Sequence, residues 1–245
     1  MQSNVKVIAA LLFLAVAGVV AWRVLTPAEH VTRQNALGHR ELATRVLAEH
    51  LAAALPGANA LILSNPFVQR SSPPPQVRAF EEAGIAGLKK GWGEKVHLLA
   101  IAYPDLKPAA LENPGALVLD PHTTTPLSFL TAEGAWDALC RKHSTVDVLI
   151  SLIGLPLSVP SLECWRNPKP RLALLLPDLR MIGDAAAIKQ AFRQGKLMAV
   201  VLNRPGAPPE DAPPERNYPA EFARRFLLLT EENLDQVLQI YPQIF

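Results

Sequence analysis

The stretch Val146-Asp147-Val148-Leu149-Ile150-Ser151-Leu152-Ile153 decides the fold. Apolar residues fill it almost without a break instead of recurring at every second position. A strand with one face in water alternates; a strand apolar throughout buries both faces, as in a parallel sheet covered by helices above and below. The same reading extends outward to Ala60–Leu63, Val96–Ala102, Ala116–Leu119, Leu172–Leu176, Met198–Leu202 and Phe226–Leu229. Helical spacing predicts helices between them at Val77–Lys90, Ala132–His143, Asp184–Gln194 and Glu231–Tyr241. The expected fold is therefore α/β, a mostly parallel, doubly wound sheet with helices on both faces.

Proline punctuates this pattern. Pro66, Pro104, Pro121, Pro156, Pro177 and Pro205 each follow closely on one of the apolar runs. Proline cannot donate to a ladder, so each ends its strand, and in a parallel sheet those ends share one rim, where α/β proteins bind ligands. Rigid turns are the plainer reading of the same prolines. Two long Pro-rich loops are expected, Ser71–Pro75 and Gly206–Pro219, the second as a flap or docking strap.

Ahead of the first strand, Leu42, Val46, Leu47, Leu51 and Leu55 fall at helical spacing. Arg40, Glu41, Arg45 and Glu49 take the other side. The pattern predicts an amphipathic helix from His39 to Pro56-Gly57, preceded by a polar stretch running to Gly38. Further upstream, Val5–Leu25 reads VKVIAALLFLAVAGVVAWRVL, uncharged from Val7 to Trp22. With Lys6 and Arg23 snorkelling, it has the ~17–20 residues that cross a bilayer. Three readings are open: a buried helix, a signal peptide cut after Ala15-Val16-Ala17, and a retained anchor. Trp22 beside Arg23 suits an anchor at a membrane interface. The expected organisation is an anchor over 1–25, a linker with the amphipathic helix over 26–58, and an α/β domain over 59–245. Basic residues on both sides of the span leave its orientation ambivalent. The expectation is a single-pass bacterial inner-membrane protein, with the lipid bilayer as partner and a periplasmic globular domain.

Composition removes other classes. Of 245 residues, 49% are hydrophobic and 19% charged, with 24 Lys and Arg against 22 Asp and Glu. That is too apolar for a disordered chain and too evenly charged for a nucleic-acid binder working by bulk charge. Cys140 and Cys164 are too few for a disulfide scaffold and lack the paired spacing of a structural zinc site. In an oxidising compartment they are disulfide candidates; otherwise they are two small buried hydrophobes.

Catalytic signatures fail in turn. There is no GxGxxG after the first strand, no GxxxxGK[ST], no GxSxG and no HExxH. No cofactor is implied. The histidines are scattered. What remains is a polar set just past the strand ends: Asn65, Asp105, Asp120, His122, Asp178, Arg180, Asn203 and Arg204. These residue types hydrogen-bond hydroxyls and clamp carboxylates, so the set is the candidate ligand-binding site. Asp and Asn are also ordinary cap and loop residues: Asp184, outside the set, is expected to cap its helix, and Asn65-Pro66 and Asp120-Pro121 are common turn pairs.

The C-terminal segment Arg225-Phe226-Leu227-Leu228-Leu229-Thr230-Glu231-Glu232-Asn233-Leu234-Asp235 resembles the closing part of type 1 periplasmic sugar-binding proteins, where a strand passes through a Thr-x-x-Asn turn into the last helix. Ser64-Asn65 after the first strand, the Gly-rich helix Glu81–Gly91, the strand Val96–Ala102 and the run from Val146 are similar in kind. The resemblance covers about a third of the chain. It implies a periplasmic-binding-like fold and a small polar ligand. The chain departs from that family in being shorter than its two lobes of ~300 residues and in carrying a peptide anchor. The leading expectation is a membrane-anchored extracytoplasmic domain that binds a small polar ligand or a protein partner at the C-terminal edge of its sheet. The alternative is a non-catalytic structural or assembly subunit of an envelope complex. An enzyme using Asp105, Asp120 or Asp178 stands third.

Overall fold

A computed structural model describes residues 31–117, 120, 123, 125–157 and 159–242. Helix α1 occupies 31–54. Its seam of Ala43, Leu47, Ala48, Leu51 and Ala52 is buried, as the heptad-like spacing requires. Gly57 stops it with φ +80°, a left-handed conformation that glycine adopts without penalty.

Six strands form one sheet: β1 (Asn59–Leu63), β2 (His97–Ala102), β3 (Val148–Ser151), β4 (Arg171–Leu175), β5 (Leu197–Asn203) and β6 (Phe226–Leu229), in the order β2-β1-β3-β4-β5-β6. The first five are mutually parallel. After β1 comes α2 (Pro75–Trp92); after β2 come the short α3 (Pro108–Glu112) and α4 (Leu127–Leu130), then α5 (Ala135–Lys142). The remainder are α6 (Glu163–Arg166), α7 (Ala185–Arg193), α8 (Tyr218–Arg225) and α9 (Leu234–Ile240).

The strand periodicity sorts side chains into two cores. Leu61, Leu63, Leu149, Leu172, Leu174 and Val200 meet Trp136 of α5, Phe192 of α7 and Val237 of α9. Ala60, Ile62, Val148, Ile150, Ala173 and Val201 point the other way, onto Leu47 and Leu51 of α1, Leu88 of α2 and Phe222 of α8. Strands buried on both faces thus lie between two helical layers, and the apolar runs have this cause.

α1 and α2 approach unusually closely. A Cβ at Gly87 would collide with the Glu41 carbonyl and Thr44 Oγ1, and one at Gly91 with the Arg45 carbonyl. Side-chain-free positions along one face of α2 let the two backbones touch.

Four expectations need correction. β6 pairs with β5 in the antiparallel sense, Asn203 facing Phe226, so its finishing end lies on the opposite rim. The chain reaches β6 through the Pro-rich strap and α8, which ends at Arg225 directly against the first residue of β6. The stretch ahead of His39 is already helical from residue 31. The Pro-rich loop ends in α8, whose Pro219 occupies the first turn, where a missing N–H costs nothing. The segment expected as a strand at Ala116–Leu119 opens in a 3-10 turn over Pro114–Ala116; residues 118 and 119 lie outside the described residues, as do His122 and the anchor Val5–Leu25. Among the described residues, no helix is long and apolar enough to cross a membrane.

Candidate ligand-binding rim

The ends of the five parallel strands do share one rim, but the structure brings together only part of the predicted set. The residues that meet are Asp120, Asp178 and Arg180. Asp178, directly after β4, accepts from the Arg180 amide at 3.1 Å and so caps a 3-10 turn over Leu179–Met181. The same carboxylate takes a bidentate fork from Arg180, Nε to Oδ1 at 2.9 Å and NH2 to Oδ2 at 2.6 Å. Asp120 reaches the same NH2 at 3.4 Å. Asp178 is buried, whereas about half of the Arg180 side chain faces solvent. The hydrogen bonds and charge of Asp178 raise the Arg180 guanidinium above its ordinary value. The result is a planar cation flanked by two carboxylates at the rim, a donor–acceptor array suited to hydroxyl-rich ligands.

Asn203 is exposed one strand over, at the end of β5. Beside it, Arg204 donates from NH1 to the Tyr241 hydroxyl at 2.7 Å, while its Nε is buried without a partner in the protein. Asn65 is engaged in structure: its side chain accepts from the Phe67 amide at 3.0 Å and caps the 3-10 turn Pro66–Gln69. Asp105 is exposed after β2, three strands from β4, or roughly 14 Å at ordinary strand spacing. The strand order therefore sets Asp105 apart from Asp178. Among the described residues, no group of three or more His, Cys, Asp or Glu could hold a metal.

Between β1 and β3 the rim is filled from below by a charge pair that sequence reasoning missed. Arg40, expected on the solvated side of α1, is buried; its NH2 donates to Glu81 Oε1 at 2.6 Å and to the Leu152 carbonyl at 3.1 Å. Desolvation lowers the guanidinium from its ordinary value, and Glu81 opposes that shift. Glu81 also accepts from Ser64 Oγ at 2.7 Å and from the Asn65 amide at 3.1 Å. Every oxygen of that carboxylate is thus engaged, the condition under which a buried charge is tolerated. No local signal marks the pair, because its members lie on different helices. Only Ser64, a polar residue after an all-apolar strand, hinted that something there needed a partner.

A second opening lies beside the edge strand. A cavity of about 690 Å³ runs along β2, lined by Pro66, Ala100, Ile101, Tyr103, Asp105 and Leu111 among others. Leu111 in it is more than half exposed.

No protein-family profile matches the chain, and no curated protein matches it. Several solved structures are similar in fold. A transporter solute-binding protein from Burkholderia graminis in complex with D-arabinose is 11% identical, with a TM-score of 0.45 over 80% of this chain and 61% of that one. One from Actinobacillus succinogenes with bound D-allose is 11% identical, with a TM-score of 0.43 over 80% and 60% of the two chains. One from Agrobacterium radiobacter in complex with D-arabinose is 12% identical, with a TM-score of 0.43 over 84% and 62%. The chain thus spans about three-fifths of the length of these proteins.

Proposed function

We propose that the chain is a membrane-anchored extracytoplasmic binding domain that takes a small, hydroxyl-rich ligand at the C-terminal rim of its sheet. The observation that carries this reading is the Asp120–Arg180–Asp178 array. Ordinary surface ion pairs are worth little, yet here a buried carboxylate fixes an outward guanidinium in one plane, which orients its edge for recognition. Of the eight residues read from sequence, Asp120, Asp178 and Arg180 form the centre, with Asn203 and Arg204 next to them on β5. His122, two positions from Asp120, and Asp105 stay in the proposal as outer contacts, and the Asn65 side chain is committed to its turn. Anchoring rests on the apolar span Val5–Leu25.

The test is isothermal titration of the detergent-solubilised full chain with monosaccharides, amino acids and nucleosides. A sugar should bind, and Arg180→Gln should weaken it at least tenfold, about 1.4 kcal/mol. A full panel without a binder, or an Arg180→Gln variant that binds as well as the parent, overturns the reading.

The cavity along β2 favours a second reading, a protein partner docked on the sheet edge as in an envelope assembly. An unpaired edge strand offers a row of backbone donors and acceptors. Purification from solubilised membranes separates the two: an assembly subunit co-purifies at fixed stoichiometry, and the loss of the partner in a Leu99→Lys variant places it on β2.

A further inference from the structure

The lower rim of the sheet, opposite the proposed ligand site, holds the molecule's two cysteines. Cys140 stands in the last full turn of α5 and Cys164 in the first turn of α6. Asp137 fixes the two helices against each other: its carboxylate accepts from the Cys164 amide at 2.8 Å and the Glu163 amide at 3.1 Å, capping the start of α6. Asp137 and Cys140 are three positions apart and share a face of α5. The cap that seats α6 therefore sets Cys164 opposite Cys140, and both side chains line one pocket.

The surroundings divide the roles. A pocket of about 200 Å³ opens onto both cysteines, with Asp137, Arg141, Glu163 and Lys169 around it. Cys140 is partly exposed and Cys164 is buried. The hydrogen bond from Cys164 holds the Cys140 thiol below its ordinary value despite burial and the charge of Asp137, with Lys196 and Arg141 assisting. The same bond and burial push the Cys164 thiol far up. Lys196 is itself held at the site, its Nζ donating to the carbonyls of Cys164, Asn167 and Pro170 at 2.5, 2.9 and 2.5 Å.

We infer that Cys140 and Cys164 form a disulfide by exchange with a small disulfide oxidant, Cys140 attacking first and Cys164 resolving. In the first step the Cys140 thiolate attacks one sulfur of oxidised glutathione; a Cys140–glutathione bond forms, and one glutathione thiolate leaves. The departing thiolate takes the Cys164 proton. Cys164 sulfur then attacks Cys140 sulfur, the protein disulfide forms and the second glutathione leaves. Two protein thiols are oxidised, and one glutathione disulfide is reduced to two thiols. Thiolate fraction and access decide which sulfur starts such an exchange, and both favour Cys140.

The full chain, reduced and then exposed to oxidised glutathione, provides the test. Intact mass should fall by two hydrogens, and peptide mapping should join Cys140 to Cys164. Cys164→Ser should accumulate a glutathione adduct at Cys140, while Cys140→Ser should stay unmodified in the folded state. The bridge should also raise the thermal midpoint by roughly 5–10 °C. A parent protein that accumulates the adduct without cross-linking, or that stays fully reduced, overturns the inference. The assay does not involve the opposite rim, so it stands or falls separately from ligand binding.

Discussion

The two faces of the sheet are closed by different physics. The face under α5, α7 and α9 is sealed by hydrocarbon, Trp136 and Phe192 being almost wholly buried against leucine and valine. Lys196, at its margin, bonds only backbone carbonyls. The face under α1, α2 and α8 also has an apolar centre, but its helices are tied down by buried charge. Arg40 of α1 meets Glu81 of α2. Within α8, Glu221 accepts from Arg225 Nε at 2.5 Å and Arg224 NH2 at 2.6 Å, and His39 of α1 packs beside it, its Nε2 at 3.2 Å without a hydrogen bond. Hydrocarbon contact is non-directional and tolerates sliding; paired charges hold a helix in one register. The second face therefore gains definition at the risk of a large loss when one partner goes.

Removing Arg40 should give the largest effect. Arg40→Ala strands a buried carboxylate and should cost about 3–5 kcal/mol in urea unfolding, whereas Arg40→Met with Glu81→Leu should recover part of it, the Ser64 hydroxyl and Asn65 amide having lost their acceptor. Equal destabilisation by the single and the double variant would show that packing, not charge, holds α1.

Glu221→Ala should cost slightly less, about 3 kcal/mol, because part of the partner set is exposed. It also has a pH signature. Burial acts to raise the Glu221 carboxyl, but the Glu215 amide and Arg225 outweigh burial and hold it below its usual range. Its folded-state value is depressed, so its stabilisation is complete above the unfolded value near ~4.3 and is lost as pH falls through the folded one. Unfolding free energy followed from pH 6 downward should therefore drop less steeply in Glu221→Ala than in the parent. Parallel slopes would remove Glu221 from the acid response.

On the hydrocarbon face, Leu149→Ala should cost about 2–5 kcal/mol, set by how far the neighbours collapse into the hole, and should show no pH dependence. A pH-dependent cost there would erase the contrast between the faces.

Legibility follows the same division. All six strands were readable as apolar runs, but the run alone does not decide: Ala116–Leu119 carried the same signal and opens in a 3-10 turn. α7 was readable from its periodicity and from Asp184, which caps it by accepting from the Ala187 amide at 2.9 Å. The direction of β6 was not readable, because pairing sense depends on the path of the connection and not on the strand's own residues. Arg40 was misplaced on the solvated side, since a charge on an amphipathic helix reads as exposed until its partner on another helix is known. Within the rim set, Asp178 and Arg180 are two positions apart and a local turn brings them together. The distance of Asp105 from Asp178 could not be read without the strand order that separates β2 from β4.

The smallest effect tests the seam between the charged helices. Alanine is the better helix former by about 1 kcal/mol, so Gly87→Ala would stabilise an isolated α2. In the folded chain the added Cβ meets the Glu41 carbonyl, which is backbone and cannot turn aside, together with Thr44 Oγ1. The helices must part to admit it, which also stretches the 2.6 Å Arg40–Glu81 contact. The balance should be a net loss of about 1–3 kcal/mol, whereas Gly38→Ala, with nothing near its would-be Cβ, should gain stability. If Gly87→Ala gained as much as Gly38→Ala, α1 would rest on α2 loosely, and the charge pair would be a consequence of their contact instead of its cause.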